Sequence, residues 1–598
     1  MGEVGSHRRG PLYGLLIAAL VGILYAPSFG RGFVSEDFLI LRRLFEARQA
    51  GELPATAWAN ATGPWLQITL VSFFRPLSSF FLQLEESLFG TTSGAYFVVH
   101  LGIHLLNSWL VFRLARRIWR PGQGNHETAA PWIVATLFSV YPLHPNTVVF
   151  VASFATLLCG TFVLAGLCFY LQDRFAAATL CLACALACYE QAAVMPVLFA
   201  ASDLCLRPRN GLWRRTLLRW TPSFVVLGAY LGIRRLLLGH SIGGYRSFHD
   251  RLSDPVALVG SLADNLGRMI YPIFAPSSVH LVGALGAVLL TLLAGWARYR
   301  SGPEVLPWVG SGLYGGCLLV VCQAPFAFVG VVPGNGRYWY LSSVGLALLL
   351  TSGLHLLARA GDGAAKPRSR YHLVFRTGAV AWIVLYGSLL WSSSRLHAEA
   401  GSEAARLRQA TGAFHEGSVF VAGAPAFLTH DGVNTAQIFH WGLADSTMPP
   451  FMTDGADLYP LPALEDDAFL PLVGRTTTLL RWSSGGFQKI QPSPNRRFDV
   501  PDRREELAAT CDNPRLVLIA KGNSSVRSYS EPPSPDDDWI RSMQTLYPKA
   551  PIYWWIECRE AAKRGSGRLV AVSGLKRLDP PGARTDKAPS LRPLPGVE

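Results

Sequence analysis

The sequence predicts a polytopic α-helical membrane protein that ends in a soluble domain. Of the 598 residues, 50% are hydrophobic and only 16% are charged, and the mean hydropathy is +0.26. A soluble globular chain is less apolar than this. Apolar segments about as long as a bilayer core requires recur up to residue 394. Beyond that point the apolar runs shorten and alternate with Pro-, Gly- and Asp-rich turns.

The apolar segments predict about eleven transmembrane helices. The first, Pro11–Phe29, follows Arg8 and Arg9 and has no convincing small-residue cleavage site. We therefore expect a retained helix rather than a signal peptide. The predicted spans lie near residues 11–29, 93–114, 130–150, 152–171, 175–189, 191–206, 220–238, 278–297, 305–330, 341–359 and 374–393.

Arginine clusters predict the orientation of these spans. They follow the second, sixth and tenth spans, on the side that also holds Arg8 and Arg9. The positive-inside rule places this face and the N-terminus in the cytoplasm, and an odd number of spans places the C-terminal domain on the other side. Only 7 of the 54 basic residues are lysine, which favours a GC-rich bacterial source. We therefore expect a bacterial inner-membrane protein with a periplasmic C-terminal domain; in a eukaryote that side would be the lumen of the endoplasmic reticulum.

The loop arginines also bear on the class of partner. They account for much of the net charge of +14, so the basic balance reflects membrane topology rather than a surface for nucleic acid. The sequence predicts membrane lipid as a partner and no nucleic acid.

The chain is predicted to divide into a transmembrane domain (1–394), an extracytoplasmic domain of α/β or α+β class (395–577) and a disordered, Pro- and charge-rich tail (578–598). Strand-like pieces of the second part are Ser418–Val421, Thr476–Trp482, Arg515–Ala520 and Gly567–Val572. Cys511 and Cys558 lie in the same part and could form a disulfide if they are close enough.

An acidic pair, Glu36 and Asp37, follows the first span on the predicted extracytoplasmic side. A carboxylate outside the hydrocarbon is deprotonated, so Asp37 is a candidate general base. Glu36 could orient a partner, bind a divalent metal ion or face water. From the local sequence alone, an ordinary solvated acidic loop explains the pair equally well.

Two arginines are candidates for binding a phosphate. Arg75 follows Phe74 at the predicted external boundary, and Arg337 lies in an external turn rich in aromatic residues immediately before the tenth span. A guanidinium at such a boundary suits the phosphate of a lipid. Snorkelling of Arg75 to headgroups, and an interfacial aromatic belt around Arg337, are the plainer alternatives.

Polar residues also occur where the apolar segments are interrupted. His144 lies between two prolines, so it either contacts substrate or caps a broken helix. Glu190 separates two short apolar runs; because a carboxylate in hydrocarbon is costly, we expect it to face a cavity or the outer interface and to have a function. His100 and His104 share one face of the second span, where they could bind a metal ion or line a polar helix interface.

Taken in order, these segments resemble the GT-C superfamily of integral-membrane glycosyltransferases. The resemblance is greatest to the branch of protein O-mannosyltransferases and transmembrane TPR proteins, although the tail shows no TPR repeat. The matching segments, within about the first 360 residues, are Glu36–Asp37, Phe74–Leu77, the His-rich second span, Tyr141–Pro145, Glu190–Gln191 and Arg337–Leu341. The chain departs from such relatives at Asn146 and Tyr189, where they often carry Glu and Lys.

The resemblance implies an enzyme that transfers a sugar from a polyprenyl-phosphate donor to a lipid, glycan or protein acceptor on the extracytoplasmic face, usually with inversion. Asp37 would deprotonate the acceptor hydroxyl, and Arg75 or Arg337 would stabilise the departing lipid phosphate. No cofactor is implied with certainty, and the need for a divalent metal ion stays open. The implied site residues are the catalytic Asp37 and Glu36 and the substrate-binding Arg75, His144, Glu190 and Arg337.

Two other functions fit parts of the pattern. A transporter or flippase for a lipid-linked glycan would also need a wet cavity and arginines, but its usual internal repeat is not visible in the sequence. A non-catalytic scaffold in the assembly of cell-envelope glycans would be consistent with the changes at Asn146 and Tyr189.

Overall fold

The computed structural model of the chain describes residues 9–65, 73–119, 129–206, 213–242, 254–270, 286, 306–328, 336–360, 368–411 and eleven strands between 418 and 578. Three predictions lie outside these residues. They are the span at 278–297, apart from Gly286; the disordered tail, apart from Leu578; and the disulfide, because of Cys511.

Helices dominate the described residues up to position 411. In chain order the described α-helices are α1 Arg9–Tyr25, α2 Glu36–Gln49, α3 Leu53–Thr62, α4 Pro76–Phe89, α5 Ser93–Ile118, α6 Ala130–Ser139, α7 Pro145–Val148, α8 Phe154–Tyr170, α9 Phe175–Cys188, α10 Met195–Leu206, α11 Trp213–Leu238, α12 Pro255–Ile270, α13 Leu306–Gln323, α14 Ser342–Ala360 and α15 Arg368–Thr411. Short 3-10 helices occupy Ala26–Gly30, Val151–Ser153, Glu190–Val194, Ala324–Phe326 and Gly336–Trp339.

Five segments of the described part are long and apolar enough to cross a bilayer: Pro11–Gly30, Ser93–Ile118, Val151–Tyr170, Leu217–Leu238 and Trp308–Phe328. Their lengths of 20 to 26 residues match the roughly 20 that a hydrocarbon core requires. The chain is thus a multi-pass helical membrane protein, as its composition predicts. The count of eleven stays a prediction, because the further apolar helices Ala130–Ser139, Phe175–Cys188 and Ser342–Leu356 are shorter.

Two of the predicted spans are interrupted. The span at 130–150 breaks after Ser139, because Pro142 and Pro145 cannot continue a helix, and α7 is a single turn. The broken backbone is buried and still hydrogen-bonded, for example from the His144 amide to the Tyr141 carbonyl at 3.2 Å. Irregular backbone at membrane depth requires this kind of protein surroundings. Glu190–Val194 similarly separates α9 from α10.

Helices that the sequence analysis did not place lie between the apolar segments. α2, α3 and α4 all occur between the first and second spans, and α12 follows α11. α4 packs against α2, α3 and α9. Its buried side chains are mostly polar: Ser78, Ser79, Leu82, Gln83, Glu85 and Glu86.

Two glycines allow α13 and α14 to pack closely. A Cβ atom added to Gly345 of α14 would lie 2.5 Å from the carbonyl oxygen of Gly315 in α13, and one added to Gly315 would lie 2.8 Å from the Gly345 oxygen. The two backbones can approach this closely only because neither residue carries a side chain. α14 follows directly after the 3-10 turn that carries Arg337.

The chain separates into two compact units. The first contains Met1–Ala405 and Ala426–His440, and the second contains Arg406–Pro425 and Trp441–Glu598. In the second unit β1 (Ser418–Ala422) pairs in parallel with β4 (Asp457–Leu461) and β5 (Thr477–Ser483), and β5 pairs antiparallel with β6 (Gly486–Ile490).

The other sheet of the second unit is antiparallel. The strands are β7 Pro514–Ala520, β8 Asn523–Ser528, β9 Ile552–Arg559, β10 Leu569–Val572 and β11 Lys576–Leu578. Their order is β10-β9-β7-β8, with β11 also paired to β9. A hairpin of β2 (Phe427–His430) and β3 (Asn434–Gln437) belongs to the first unit. The α/β or α+β class of the tail and the domain boundaries stay predictions.

Candidate functional site

A strained turn starts the helix that carries the acidic pair. Ser35 has a φ of 49°, an uncommon conformation for a residue other than glycine, and α2 begins at the next residue. The amide of Asp37 donates to the carbonyl of Val34 at 3.1 Å, which closes the turn. Strain of this kind is concentrated at functional sites. Both carboxylates therefore lie at the N-terminus of α2, where the helix dipole favours negative charge.

Asp37 is buried among hydrogen-bond donors. Its Oδ2 accepts from Arg31 Nη2 at 3.1 Å and from the Val34 amide at 3.3 Å, and its Oδ1 accepts from the Ala152 amide at 3.1 Å. The side chain is 1% exposed. Burial raises the pKa of the Asp37 carboxyl, and the Arg31 guanidinium and the two amides oppose that rise. The ion pair and the amides hold the carboxylate in one orientation.

A small cleft adjoins Asp37. Its lining includes Ser28, Arg31, Tyr96 and Val151. No other predicted site residue is among the described residues that line it. Within the part of the chain that the structure describes, the residues of the two ion pairs described next do not line this cleft.

Glu36 forms an ion pair with Arg337. Arg337 Nη1 donates to Oε2 at 2.7 Å, and Nη2 donates to Oε1 at 3.1 Å. Arg337 lies on the 3-10 turn Gly336–Trp339. This turn packs closely on the backbone near Leu143, since a Cβ atom added to Gly336 would lie 2.5 Å from the Leu143 carbonyl oxygen. The structure thus brings together two predicted site residues that are 301 positions apart in sequence.

Glu190 forms a second ion pair, with Arg75. Arg75 Nε donates to Oε2 at 2.8 Å, the Phe74 amide donates to Oε1 at 3.2 Å, and Arg234 Nη1 lies 3.7 Å from Oε1. The Arg75 guanidinium carbon lies 3.9 Å from the centroid of the Phe73 ring, and 4.4 and 4.9 Å from those of Tyr189 and Trp65. A weakly hydrated guanidinium is well suited to such an aromatic enclosure.

Three aromatic rings connect the two ion pairs. Tyr189 stacks on Phe326 with centroids 6.5 Å apart, and Phe326 stacks on Tyr338 at 4.3 Å. Arg75 lies over Tyr189, and the guanidinium carbon of Arg337 is 5.7 Å from the Tyr338 centroid. The two arginines that the sequence assigns to phosphate therefore lie at opposite ends of one row of rings.

His144 lies in the interior of the first unit. Its Nε2 is 2.9 Å from Ser343 Oγ, and its ring packs against His104 and Tyr340 with centroids 5.1 and 4.7 Å apart. His144 precedes α7, but its side chain makes no capping hydrogen bond there. These contacts connect the broken third span to the start of α14.

The other predicted histidines lie at helix interfaces. His100 Nε2 is 3.3 Å from Glu85 Oε2, and His104 Nδ1 is 2.9 Å from the Tyr340 hydroxyl. Among the residues that the structure describes, no group of three or more His, Cys, Asp or Glu side chains could hold a metal ion. The Oδ1 atom of Asn146 accepts a hydrogen bond from the imidazole Nε2 of His397 at 3.1 Å.

Sequence reasoning missed two arginines of these clusters. Arg31 pairs with Asp37, and Arg234 lies beside Glu190. Arg234 carried a usable signal, since an arginine within an apolar helix is costly and is usually paired. Arg31, in contrast, follows the first span like an ordinary boundary residue, and nothing in the local sequence marks it.

No protein-family model and no curated protein matches the chain. Among solved structures it is similar to ArnT from Cupriavidus metallidurans bound to undecaprenyl phosphate, with 14% identity and a TM-score of 0.39 over 80% of this chain and 98% of that chain. It is also similar to the apo state of ArnT from the same organism, with 13% identity and a TM-score of 0.38 over 86% of this chain and 97% of that chain. Values this low carry no ligand, site residue or activity over to this chain.

Proposed function

We propose that this protein is a membrane glycosyltransferase of the GT-C kind that its sequence resembles. It would move a sugar from a polyprenyl-phosphate donor to an acceptor on the extracytoplasmic face. The observation that supports this most strongly is the row of rings with Arg75 at one end and Arg337 at the other. Cations that bind phosphate, next to aromatic surfaces that tolerate an isoprenoid, match the two chemical parts of such a donor.

The arginines would act on the leaving group. As the bond between the anomeric carbon and the phosphate oxygen breaks, negative charge grows on the lipid phosphate. Arg337, Arg75 or both would stabilise that charge with hydrogen bonds. Glu36 and Glu190 would hold the guanidinium groups in place before the donor arrives.

Asp37 would act as the general base. A carboxylate offers about four lone-pair positions, and three donors occupy Asp37. An acceptor hydroxyl entering by the cleft could use the remaining one. Its proton would pass to Asp37, its oxygen would bond to the anomeric carbon, and the polyprenyl phosphate would leave from the opposite side, with inversion. We propose that His144 positions the start of α14, and with it the Arg337 turn.

The assay is release of polyprenyl phosphate from polyprenyl-phosphate sugars by the protein in lipid nanodiscs. Asp37→Asn should reduce release by at least about 100-fold, the usual contribution of general-base catalysis, since the amide cannot accept a proton. Arg337→Lys should also reduce release, since an ammonium lacks the bidentate geometry. Glu52→Gln, which alters an exposed carboxylate close to α2, is the matched control and should retain wild-type release.

Two outcomes would contradict the proposal. Normal turnover by a folded Asp37→Asn variant would exclude Asp37 as the base. Movement of a fluorescent polyprenyl-phosphate sugar across a vesicle bilayer, without cleavage of the donor, would instead identify a transporter.

A further inference from the structure

Several buried polar atoms on α3 and α4 have no hydrogen-bond partner among the described residues. Asn60 is 1% exposed, and among the described residues neither its Nδ2 nor its Oδ1 has a hydrogen-bond partner. The same holds, within those residues, for Gln83 Nε2 and Glu86 Oε2. Burying such atoms unpaired costs free energy, so a group of them indicates a site for a ligand.

These three residues, which we call the α3–α4 polar cluster, lie on helices that face each other. Asn60 is the buried residue of α3, and α3 packs mainly on α4. Gln83 and Glu86 are three positions apart and share one face of α4. Glu86 Oε1 pairs with Arg48 Nη2 at 3.3 Å, and the Arg48 side chain is 33% exposed. Glu86 therefore lies one side chain beneath the surface.

The chemistry of the cluster fits hydroxyl groups. Asn60 and Gln83 offer N–H donors, and Asn60 and Glu86 offer acceptor oxygens. A hydroxyl group both donates and accepts, so neighbouring hydroxyls on a sugar ring would satisfy this mixture. A metal ion would leave the N–H donors unused, and an anion would be repelled by Glu86.

The helices α3 and α4 adjoin the proposed active site. α4 starts immediately after Arg75, whose guanidinium lies over Trp65, three residues beyond the end of α3. α2 carries Asp37 near its start and Arg48, the partner of Glu86, near its end. At 1.5 Å per residue these two positions are about 16 Å apart along the helix. A ligand that reached both would need several sugar residues.

We propose that the α3–α4 polar cluster binds the acceptor and that the acceptor is a glycan of several sugar residues. This inference rests on the proposed function, because it identifies the acceptor for the same reaction. The terminal hydroxyl would lie at Asp37, and an inner sugar of the glycan would lie against Asn60, Gln83 and Glu86.

Binding is tested by saturation-transfer NMR on the full chain in nanodiscs. The probes are neutral tetrasaccharides of glucose, mannose, galactose and N-acetylglucosamine, added one at a time. At least one should bind, and Asn60→Leu and Gln83→Leu should each weaken its binding by about tenfold, the usual upper effect of a lost neutral hydrogen bond. Gln49→Leu, at an exposed amide of α2, should bind like the wild type.

The thermal midpoint of unfolding separates a binding role from a structural role. Because the amide atoms lack partners in the described structure, replacing them with leucine should leave the midpoint unchanged or raise it. Weaker binding together with a clearly lower midpoint would indicate a structural role and overturn the inference. So would the failure of every tetrasaccharide to bind the wild type.

The same proteins separate this inference from the proposed function. Asp37→Asn should bind the tetrasaccharide while losing donor cleavage. If the wild type cleaves donor and the leucine variants bind tetrasaccharide normally, the acceptor site is wrong and the enzyme stands. If the leucine variants lose binding but no protein cleaves donor, the glycan site stands and the enzyme is wrong.

Discussion

At the residue scale, the charged groups could be predicted but their partners could not. Glu36, Asp37, Arg75, Glu190 and Arg337 are conspicuous in the sequence because charges are few and lie at the ends of apolar runs. Which carboxylate meets which arginine depends on how distant segments pack, as the separation of 301 positions between one such pair illustrates. The local sequence around each residue holds no information on which distant residue it will pair with.

The protonation of Asp37 leads to a prediction on pH. A base must be deprotonated, so release of polyprenyl phosphate should fall as the pH is lowered. Burial raises the pKa of Asp37 above its ordinary value of 3.8, so the fall should begin at a higher pH than for a solvated aspartate. Arg31→Gln should move the fall to still higher pH, because it removes the positive charge that opposes the rise. Initial rates measured across the pH range test both statements.

The control for the pH experiment is again Glu52→Gln, which should leave the profile unchanged. If Arg31→Gln has the wild-type profile, the Asp37 carboxylate does not govern the acidic side, and another group must be the base.

At the scale of elements, hydropathy predicts the apolar helices and misses the helices that lie between them. α5 and α8 match predicted spans closely, because burial in a bilayer demands a continuous apolar run. α3 and α4 were not predicted. α4 buries serines, a glutamine and two glutamates, so the usual pattern of apolar residues inward does not mark its packed face. Gln83 and Glu86 of the α3–α4 polar cluster lie on this face.

The contact between α13 and α14 leads to a prediction on stability. Gly345→Ala and Gly315→Ala should each lower the free energy of unfolding by about 1–3 kcal/mol, because the new Cβ atoms would collide with backbone atoms of the other helix. Gly345→Ala should also reduce activity, since α14 follows directly from the turn that holds Arg337. Thermal unfolding in detergent and donor cleavage are the two measurements.

Gly353 provides a matched control on the same helix. An added Cβ there has no atom within 4 Å among the described residues, so Gly353→Ala should leave stability unchanged or increase it by up to about 1 kcal/mol through helix propensity. If Gly345→Ala and Gly353→Ala changed the stability equally, the close approach of α13 and α14 would not depend on the glycine at position 345.

At the scale of the whole molecule, orientation decides whether the proposed chemistry is extracytoplasmic. The clusters of arginine are the main determinant, and Arg113, Arg116 and Arg117 near the end of α5 illustrate one of them. Because α1 separates the N-terminus from Asp37, a cytoplasmic N-terminus puts the acidic pair on the outer side of the membrane. The proposed location is a bacterial inner membrane with the second unit in the periplasm.

Fusions in a bacterial host test this topology. Alkaline phosphatase is active only outside the cytoplasm, and ordinary green fluorescent protein exported by the general secretion pathway is fluorescent only inside it. We expect fusions after residues 52 and 598 to give active phosphatase and dark fluorescent protein, and a fusion after residue 210, within the Arg-rich segment beyond α10, to give the reverse. Fluorescence of the fusion at 52 would put Asp37 in the cytoplasm. In that case Asp37 could not be the base for an acceptor on the extracytoplasmic face, and the orientation predicted by the positive-inside rule would be wrong. Fluorescence at 598 alone would leave the site in place and require an even number of spans, because the second unit would then share a side with the N-terminus.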